Sequence, residues 1–372
     1  MRPNILHTTA ALAFVVCAAR PLGAQQSCSA PYFIEQSFPT AGPTETTWRL
    51  CWQVQPGWGL IITAAFFRKS PTSPFIRLFW DARVSDIFVP YHPGSPRYYD
   101  LSVFGFGSTS VSSADCPPSV GGTELAGVVC KEVHDRGLAW KDDAAVRRGQ
   151  ELVLWTAIDA ANYNYIVEWT FRDDGVVLGR LGATAVNLPG MRMTAHAHNG
   201  LWRLDIDLNG FWGDAVDLFT HKENLPGNSA TDTHPLVPVE AGLQWDDLAF
   251  TSANVHDATL RNSRGDTTSY DLIPIRNGTG RHAEAFTKND FWVTHYKWTE
   301  MRPSNLPSYI TPAEIVSNSD IVLWYWGSLH HMPRDEDGEV VNTYWWQGEA
   351  HVMWTGFMLK PHNLFDRTPL FP

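Results

Sequence analysis

Residues 152–171, LVLWTAIDAANYNYIVEWTF, decide the fold. Apolar residues crowd this stretch, several of them β-branched or aromatic, and no proline interrupts it, which is typical of buried strands. Tyr163 and Tyr165 are two positions apart, so on a strand their side chains share one face, and Asn162 and Asn164 take the other. Asparagine is depleted in strands, so two asparagines beside tyrosines need an explanation.

The composition of the whole chain agrees with a large β protein. Its 372 residues are 44% hydrophobic, enough for a large core in one big domain or two smaller ones. The 17 tryptophans, 28 glycines and 25 prolines favour strands joined by many turns. Helical periodicity is weak, so we predict one mainly β domain, a large antiparallel β-sandwich.

The net charge is −11 at pH 7 and the pI is near 5.6. A negative surface argues against nucleic acid as a partner. It mildly favours cationic substrates, although acidity is also common among secreted proteins for no such reason.

The N-terminus indicates a secretory signal peptide over residues 1–24, with Arg2, an apolar stretch at 9–19 and a small-residue cleavage site at 22–24. No later run is long enough to span a membrane. Once Cys17 leaves with the signal, four cysteines remain in an oxidising compartment: Cys28, Cys51, Cys116 and Cys130. Disulfides are therefore expected, and of the three possible pairings the closeness of Cys116 and Cys130 favours theirs.

The mature chain is predicted to have two segments. Residues 25–57 are rich in Pro, Thr and Trp, and we expect them to wrap the edge of the domain formed by residues 58–372. Strand patterns occur at 60–67, 75–91, 152–171, 201–208, 290–296, 321–325, 344–347 and 351–359. A hairpin turn is indicated at 173–175, and long loops are indicated at 108–141 and 213–240.

His196-Ala197-His198 is the first candidate for chemistry. On a strand the two imidazoles share a face and form a two-point metal chelate. With 14 histidines in the chain some such pairs arise by chance, so the pair alone is a weak signal.

Taken together, these motifs resemble the core of the copper-containing amine oxidases, in which a tyrosine of an Asn-Tyr-Asp/Glu-Tyr motif becomes topaquinone beside a copper held by three histidines. The resemblance extends to Val89-Pro90-Tyr91 and to residues 291–294, 306–310 and 359–369. The resemblance covers about residues 58–369. It implies a short version of the family that has the catalytic domain without the smaller N-terminal domains of the usual members. It implies a β-sandwich of the family's catalytic-domain type.

The resemblance implies a copper site made by His196, His198 and His331. His331 precedes an apolar residue and the acidic pair Glu336-Asp337, and His330 fits the pattern less well. Three imidazoles suit Cu(II) or Zn(II), which spacing cannot separate.

Tyr163 is implied as the topaquinone precursor, flanked by Asn162 and Asn164. Val89-Pro90-Tyr91 and Tyr98-Tyr99-Asp100 resemble the family segment that carries the catalytic base. By this resemblance Asp100 is the base, Tyr91 hydrogen-bonds a cofactor oxygen, and Tyr98 gates the substrate channel. As isolated features they would be a turn aspartate and core aromatics.

A structural calcium is implied by the same route. Its ligands would be the carboxylates of Asp205, Asp207 and Asp320 and the carbonyls of Ile206 and Ile321, oxygen ligands that suit Ca²⁺. The alternative is a solvated strand face.

Four positions depart from the family pattern. Asn164 replaces Asp or Glu, Ala161 a usual Gly, Asp159 a common Ser or Thr, and Val103 a usual Glu. None of these changes replaces one of the three histidines, Tyr163 or Asp100. We therefore expect them to affect the rate of the reaction more than the kind of enzyme.

We therefore expect a secreted, homodimeric primary-amine oxidase, dependent on copper and topaquinone. It would convert an amine and oxygen to an aldehyde, ammonia and hydrogen peroxide. One alternative is a non-catalytic copper-binding relative, favoured by Asn164 and Ala161. Another is a Trp-rich secreted β-sandwich that binds carbohydrate. A zinc hydrolase is weaker, because no separate nucleophile or acid is evident.

Overall fold

A computed structural model describes residues 28–39, 45–91, 96–188, 191, 194–276, 278–334, 337, 340–341, 344–345 and 352–366. The predicted signal peptide, residues 1–24, lies outside the described residues. In the described chain no helix is long and apolar enough to cross a membrane.

Strands dominate the described chain, as the composition predicted. They are β1 (Phe33–Pro39), β2 (Glu45–Gln55), β3 (Gly59–Arg68), β4 (Ile76–Pro90), β5 (Arg97–Tyr99), β6 (Gly122–Leu125), β7 (Val129–Lys141), β8 (Val146–Ala160), β9 (Tyr163–Arg172), β10 (Val177–Ala185), β11 (His196–Ile206), β12 (Asp214–Asn224), β13 (Ser229–Thr233), β14 (Ala241–Leu243), β15 (Phe250–Arg261), β16 (Thr267–Ile275), β17 (Phe291–His295), β18 (Ile321–His331), β19 (Val340–Val341), β20 (Tyr344–Trp345) and β21 (Met353–His362). One short helix, α1 (Leu306–Tyr309), follows β17.

The strands form two large antiparallel sheets. The first has the order β1-β2-β3-β4-β11-β18-β17-β14, with β5 paired to β4. The second has the order β13-β12-β15-β16-β21-β10-β9-β8-β7-β6, and β19 pairs with β20 separately. The predicted antiparallel β-sandwich is confirmed.

The two sheets pack through aromatic side chains on their facing surfaces. Trp169 of the second sheet meets Trp202 of the first edge to face, with ring centroids 5.3 Å apart, and Trp202 meets Phe357 of the second sheet at 5.2 Å. All three are fully buried, and each burial stabilises the fold by about 2–3 kcal/mol.

About half of the 17 tryptophans are buried in the described chain: Trp48, Trp52, Trp169, Trp202, Trp245, Trp292, Trp324 and Trp326. Core packing therefore accounts for about half of the tryptophan content, which weakens the support for a carbohydrate-binding surface.

The central stretch, residues 152–171, forms the hairpin β8–β9, in which Ala160 pairs with Tyr163 across a two-residue turn. Ala161 in that turn has a φ of 63°, in the left-handed region. A side chain with a Cβ costs about 1–2 kcal/mol there, which is the physical reason to prefer the glycine that Ala161 replaces.

Two loop predictions are wrong. Residues 108–141 contain β6 and β7, and residues 213–240 contain β12 and β13. These strands lie toward the edges of the second sheet, and β13 is exposed at every position. Strands that face solvent carry polar residues, so their composition is close to that of a loop.

The other strand predictions fare better. Strand β17 lies within its predicted segment, whereas β21 runs three residues and β18 six residues beyond the predicted ends. Of 344–347, the structure describes Tyr344–Trp345 as a strand. The segment 25–57 does more than wrap the domain edge, because it supplies β1 and β2, with β1 as the edge strand of the first sheet.

Two disulfides are present, Cys28–Cys51 and Cys116–Cys130. The second confirms the favoured pairing. The first ties the chain before β1 to β2.

Candidate active site

The three predicted copper-ligand histidines come together on two paired strands. β11 runs antiparallel to β18, and their register places His196 directly opposite His331. His198 shares the face of His196, and ligand nitrogens of the three rings lie within 4.8 Å of one another. All three are buried, whereas the adjacent His330 is exposed on the other face of β18.

Hydrogen bonds orient two of these rings. His196 Nδ1 donates to the carbonyl of Thr194 at 2.8 Å, so Nε2 faces the cluster as an acceptor. His331 Nε2 bonds the carboxylate of Asp337 at 2.8 Å, which turns Nδ1 toward the cluster. A carboxylate or carbonyl behind the imidazole is the usual support of a metal-ligating histidine. Of the predicted acidic pair, Asp337 has this role and Glu336 lies outside the described residues.

Tyr163 extends from β9 into the cluster. Its hydroxyl lies 2.7 Å from His196 Nε2 and 2.9 Å from His331 Nδ1. Burial, reinforced by Tyr91, raises the pKa of the Tyr163 phenol well above its usual range, so the oxygen keeps its proton in the absence of a cation.

The cluster has more lone pairs than protons. The Tyr163 hydroxyl has one hydrogen for two imidazole acceptors, and the buried His198 Nε2 has no hydrogen-bond partner among the described residues. Burial, and then the neighbouring His196 and His331, hold the pKa of His198 well below its usual range. Three neutral imidazoles and a phenol oxygen are a donor set that fits Cu(II) or Zn(II), so the residues fit a bound copper.

Tyr165 connects the predicted base to the cluster. Its hydroxyl donates to Asp100 Oδ2 at 2.8 Å and lies 3.0 Å from His198 Nδ1. Because that hydrogen goes to the carboxylate, the ring must supply the second one, which leaves His198 Nε2 as the lone pair. The sequence indicated only that Tyr165 shares a face with Tyr163.

Asp100 has the environment of a base that works near neutral pH. Burial raises its pKa to about 7, the negative charge of Asp86 adds to the shift, and the hydrogen bond from Tyr165 opposes it. A general base is most effective when its pKa lies near the working pH.

Asp86 holds the segment that carries Asp100, and sequence reasoning missed it. Its Oδ1 accepts the backbone N–H groups of Ile87, Leu101 and Ser102 at 2.9 to 3.2 Å. An aspartate directly before the apolar end of β4, in the sequence DIFVP, was the signal that could have found it.

Of the remaining predicted residues, Tyr91, Tyr98 and Asn162 lie at the site and Asn164 does not. Tyr91 stacks on His196 with ring centroids 4.1 Å apart, and Tyr98 packs edge to face on Tyr91 at 5.8 Å. Asn162 lies in the hairpin turn, and its amide donates to the carbonyl of Val186 at 2.9 Å. Asn164 is exposed on the opposite face of β9, so the structure does not bring it to the site.

A cavity of about 140 Å³ opens onto Tyr163. Its lining consists of Val89, Tyr91, Tyr98, Asp100, Phe104, Phe106, Ala160, Ala161, Asn162, Tyr163, Tyr165 and Leu188. The predicted base and the predicted cofactor tyrosine therefore share one pocket.

The predicted calcium ligands form a second cluster, where β11 ends and β18 begins. Carboxylate oxygens of Asp205, Asp207 and Asp320 lie within 4.8 Å of one another. Burial, with the negative charge of Asp320 adding to it, raises the pKa of Asp207 to about 7. Burial raises the pKa of Asp320 to about 6. It also raises the pKa of Asp205 well above the usual range of an aspartate. Sequence reasoning missed Asp214, a further buried carboxyl whose Oδ2 has no partner among the described residues.

Comparison with known proteins assigns the family. Residues 184–371, half of the chain, match the family model described as copper amine oxidase, enzyme domain. The chain belongs to the copper amine oxidase family.

Curated relatives agree. A peroxisomal copper-containing amine oxidase alpha 2 of Arabidopsis thaliana is 24% identical over 84% of this chain and 57% of its own length. A peroxisomal copper-containing diamine oxidase of Nicotiana tabacum is 26% identical over 76% of this chain and 44% of its own. The chain thus spans about half the length of the curated relatives it matches.

Solved structures share the fold. A copper-containing benzylamine oxidase from Hansenula polymorpha superposes with a TM-score of 0.71 at 18% identity, over 98% of this chain and 64% of that one. The lysyl oxidase of Pichia pastoris gives a TM-score of 0.68 at 17% identity, over 87% and 52%.

His331→Ala should weaken Cu(II) binding by at least about 100-fold, because it removes one of three imidazoles that converge on the cluster. His330→Ala is the matched control, since the neighbouring ring faces away. Calorimetric titration of metal-free protein should give one tight site per chain in the wild type and in His330→Ala. Equal loss in the two variants would contradict the assignment.

Asp100→Asn should stabilise metal-free protein at high pH. The raised pKa means that the folded state keeps a proton that the unfolded chain loses near pH 4, so stability falls as the pH rises from about 4 to about 7 and levels off above the folded pKa. Asparagine removes this cost and keeps an acceptor for Tyr165.

In urea unfolding, the stability of Asp100→Asn relative to wild type should increase by roughly 2–3 kcal/mol between pH 5 and pH 8. The exposed Asp159→Asn should show no such trend. A constant difference across this pH range would refute the assigned environment of Asp100.

Proposed function

We propose that this protein is a copper- and topaquinone-dependent primary-amine oxidase. The reaction would consume a primary amine, oxygen and water and produce an aldehyde, ammonia and hydrogen peroxide. The observation that carries the proposal is the Tyr163 hydroxyl, held at 2.7 and 2.9 Å from ring nitrogens of two of the three clustered histidines. A packed core tyrosine would not need to direct its hydroxyl at the ring nitrogens of clustered histidines.

His196, His198 and His331 would hold the copper, and Tyr163 would be the precursor of the quinone. When present, the quinone supplies an electrophilic carbonyl and an electron sink for the amine, and copper supplies the oxidation chemistry with oxygen. The chain's own contribution is to place the phenol against the metal and to exclude water, since Tyr163 is 3% exposed.

Asp100 would take the proton from the substrate carbon. Its Oδ2 is held by the Tyr165 hydroxyl, which leaves Oδ1 available to the substrate. Tyr165 would keep the carboxylate in position, and Asp86 would fix the backbone that carries it. Tyr91 and Tyr98 line the same cavity, which supports roles in orienting the cofactor ring and in gating access.

We further propose that Asp205, Asp207 and Asp320 bind calcium with the carbonyls of Ile206 and Ile321. The support is a set of buried carboxylates with incomplete compensation: Arg77 reaches Asp207 at 3.2 Å, but oxygens of all three lack hydrogen-bond partners in the described chain. Hard oxygen ligands favour Ca²⁺ over the softer metals.

Secretion and a homodimer are also part of the proposal. The two disulfides support an oxidising compartment. Large apolar side chains on the surface, such as Trp298 at 78% exposed and Leu248 at 83%, support contact with a second subunit.

The competing function is copper binding without cofactor formation. The strained Ala161 favours it, because this residue lies two positions from Tyr163 in the turn of the same hairpin. The two functions differ in whether Tyr163 is converted.

Copper added in air to protein purified without metal should produce a visible absorption band that shifts when phenylhydrazine is added. Tyr163→Phe should bind copper and develop no band, since it retains the three imidazoles and lacks the phenol. Copper uptake by the wild type without a band would establish the non-catalytic alternative.

Calcium should raise the melting temperature of the wild type. At a concentration about 100 times Kd, linkage gives about 2.7 kcal/mol of stabilisation. Asp207→Asn should abolish the shift, and the exposed Asp143→Asn should retain it. A melting temperature unaffected by calcium and by chelator would exclude the site.

A further inference from the structure

The wall of the active-site cavity is aromatic from its buried end to its mouth. Tyr98 packs on Tyr91 at the inner end and on Phe104 further out, with centroids 5.8 Å apart in both pairs. Phe104 stacks in turn on Phe106, at 5.6 Å and nearly parallel. Phe104 is 52% exposed, so the phenyl pair forms the entrance to a pocket whose far end holds Tyr163.

The part of the cavity wall that the structure describes offers one anionic group. Among the described residues that line it, Asp100 is the only carboxyl, and none is lysine, arginine or histidine. A substrate amine that reacts at Tyr163 uses this carboxylate. A second ammonium on the same substrate would give up water against apolar walls with no counter-charge, which is costly, and cation–π attraction to phenyl rings offsets only part of that cost.

An aromatic tail on the substrate, in contrast, finds favourable contacts along the same cavity wall. It can stack on the Phe104–Phe106 pair in an offset or edge-to-face arrangement while its amine reaches Asp100. The neighbouring carbons of Val89 and Leu188 add apolar surface to the same cavity.

From this lining we infer that the substrates are monoamines with an apolar, preferably aromatic, tail, such as 2-phenylethylamine, and that diamines are poor substrates. Phe104 and Phe106 are the specificity-determining residues. The inference rests on the proposed function and adds the substrate class to it.

The test compares 2-phenylethylamine with putrescine on copper-loaded protein, with active sites counted by phenylhydrazine. We expect kcat/KM per quinone to be at least about 100-fold higher for 2-phenylethylamine. Phe104→Ala should lower that value about tenfold for 2-phenylethylamine and less than about twofold for putrescine. Val103→Ala, an exposed neighbour outside the cavity lining, should leave both unchanged.

A second measurement does not need the cofactor. In calorimetry on copper-free protein, 2-phenylethylamine should bind at least about tenfold more tightly than putrescine, and Phe104→Ala should remove this difference. Absence of quinone would refute the proposed function. Quinone formation with similar kcat/KM for the two amines, or an equal effect of Phe104→Ala on both, would overturn the substrate class alone.

Discussion

The hydrogen-bonded register between β11 and β18 is the constraint on which the site depends. It places His196 of β11 opposite His331 of β18, although the two strands are far apart in the sequence. Side chains alternate between the faces of a strand, so a slip of one residue would move His331 to the outer face and bring His330 inward. Even so, the cluster would not re-form, because the hydrogen bond that His331 donates to Asp337 orients this ring alone. The histidine cluster, the proposed copper site, thus depends on the register of this strand pair.

The same two strands have a cluster of candidate metal-binding side chains at each end. β11 begins at His196 and passes Asp205 as it ends, while β18 begins just after Asp320 and ends at His331. Nine residues of extended chain separate the two clusters by roughly 30 Å. The proposed copper site, rich in nitrogen, and the proposed calcium site, rich in oxygen, therefore lie at opposite ends of one strand pair in the first sheet.

The sequence was sufficient to predict the site residues that belong to short local motifs. His196-Ala197-His198 and the alternation of Tyr163 with Tyr165 follow from the two-residue period of a strand, and the structure brings them together. It was insufficient where a role depends on contacts between distant segments. Nothing local shows that Tyr165 bridges Asp100 and His198, or that Asp86 fixes the backbone beside the base. Asn162 was misplaced because the turn falls on it, so it and Asn164 do not share a face. The polar strands β7, β12 and β13 were missed because exposure, not conformation, dominates their composition.

The disulfides have a consequence for how long a working molecule would survive. The proposed reaction releases hydrogen peroxide, which oxidises thiolates and thioethers. All four cysteines of the described chain are bonded in pairs, so none of them offers a thiolate. The exposed thioether in the described chain is Met332, 71% exposed, which directly follows His331, a proposed copper ligand. The first oxidative damage from turnover is therefore expected at this thioether and not in the sulfur bridges.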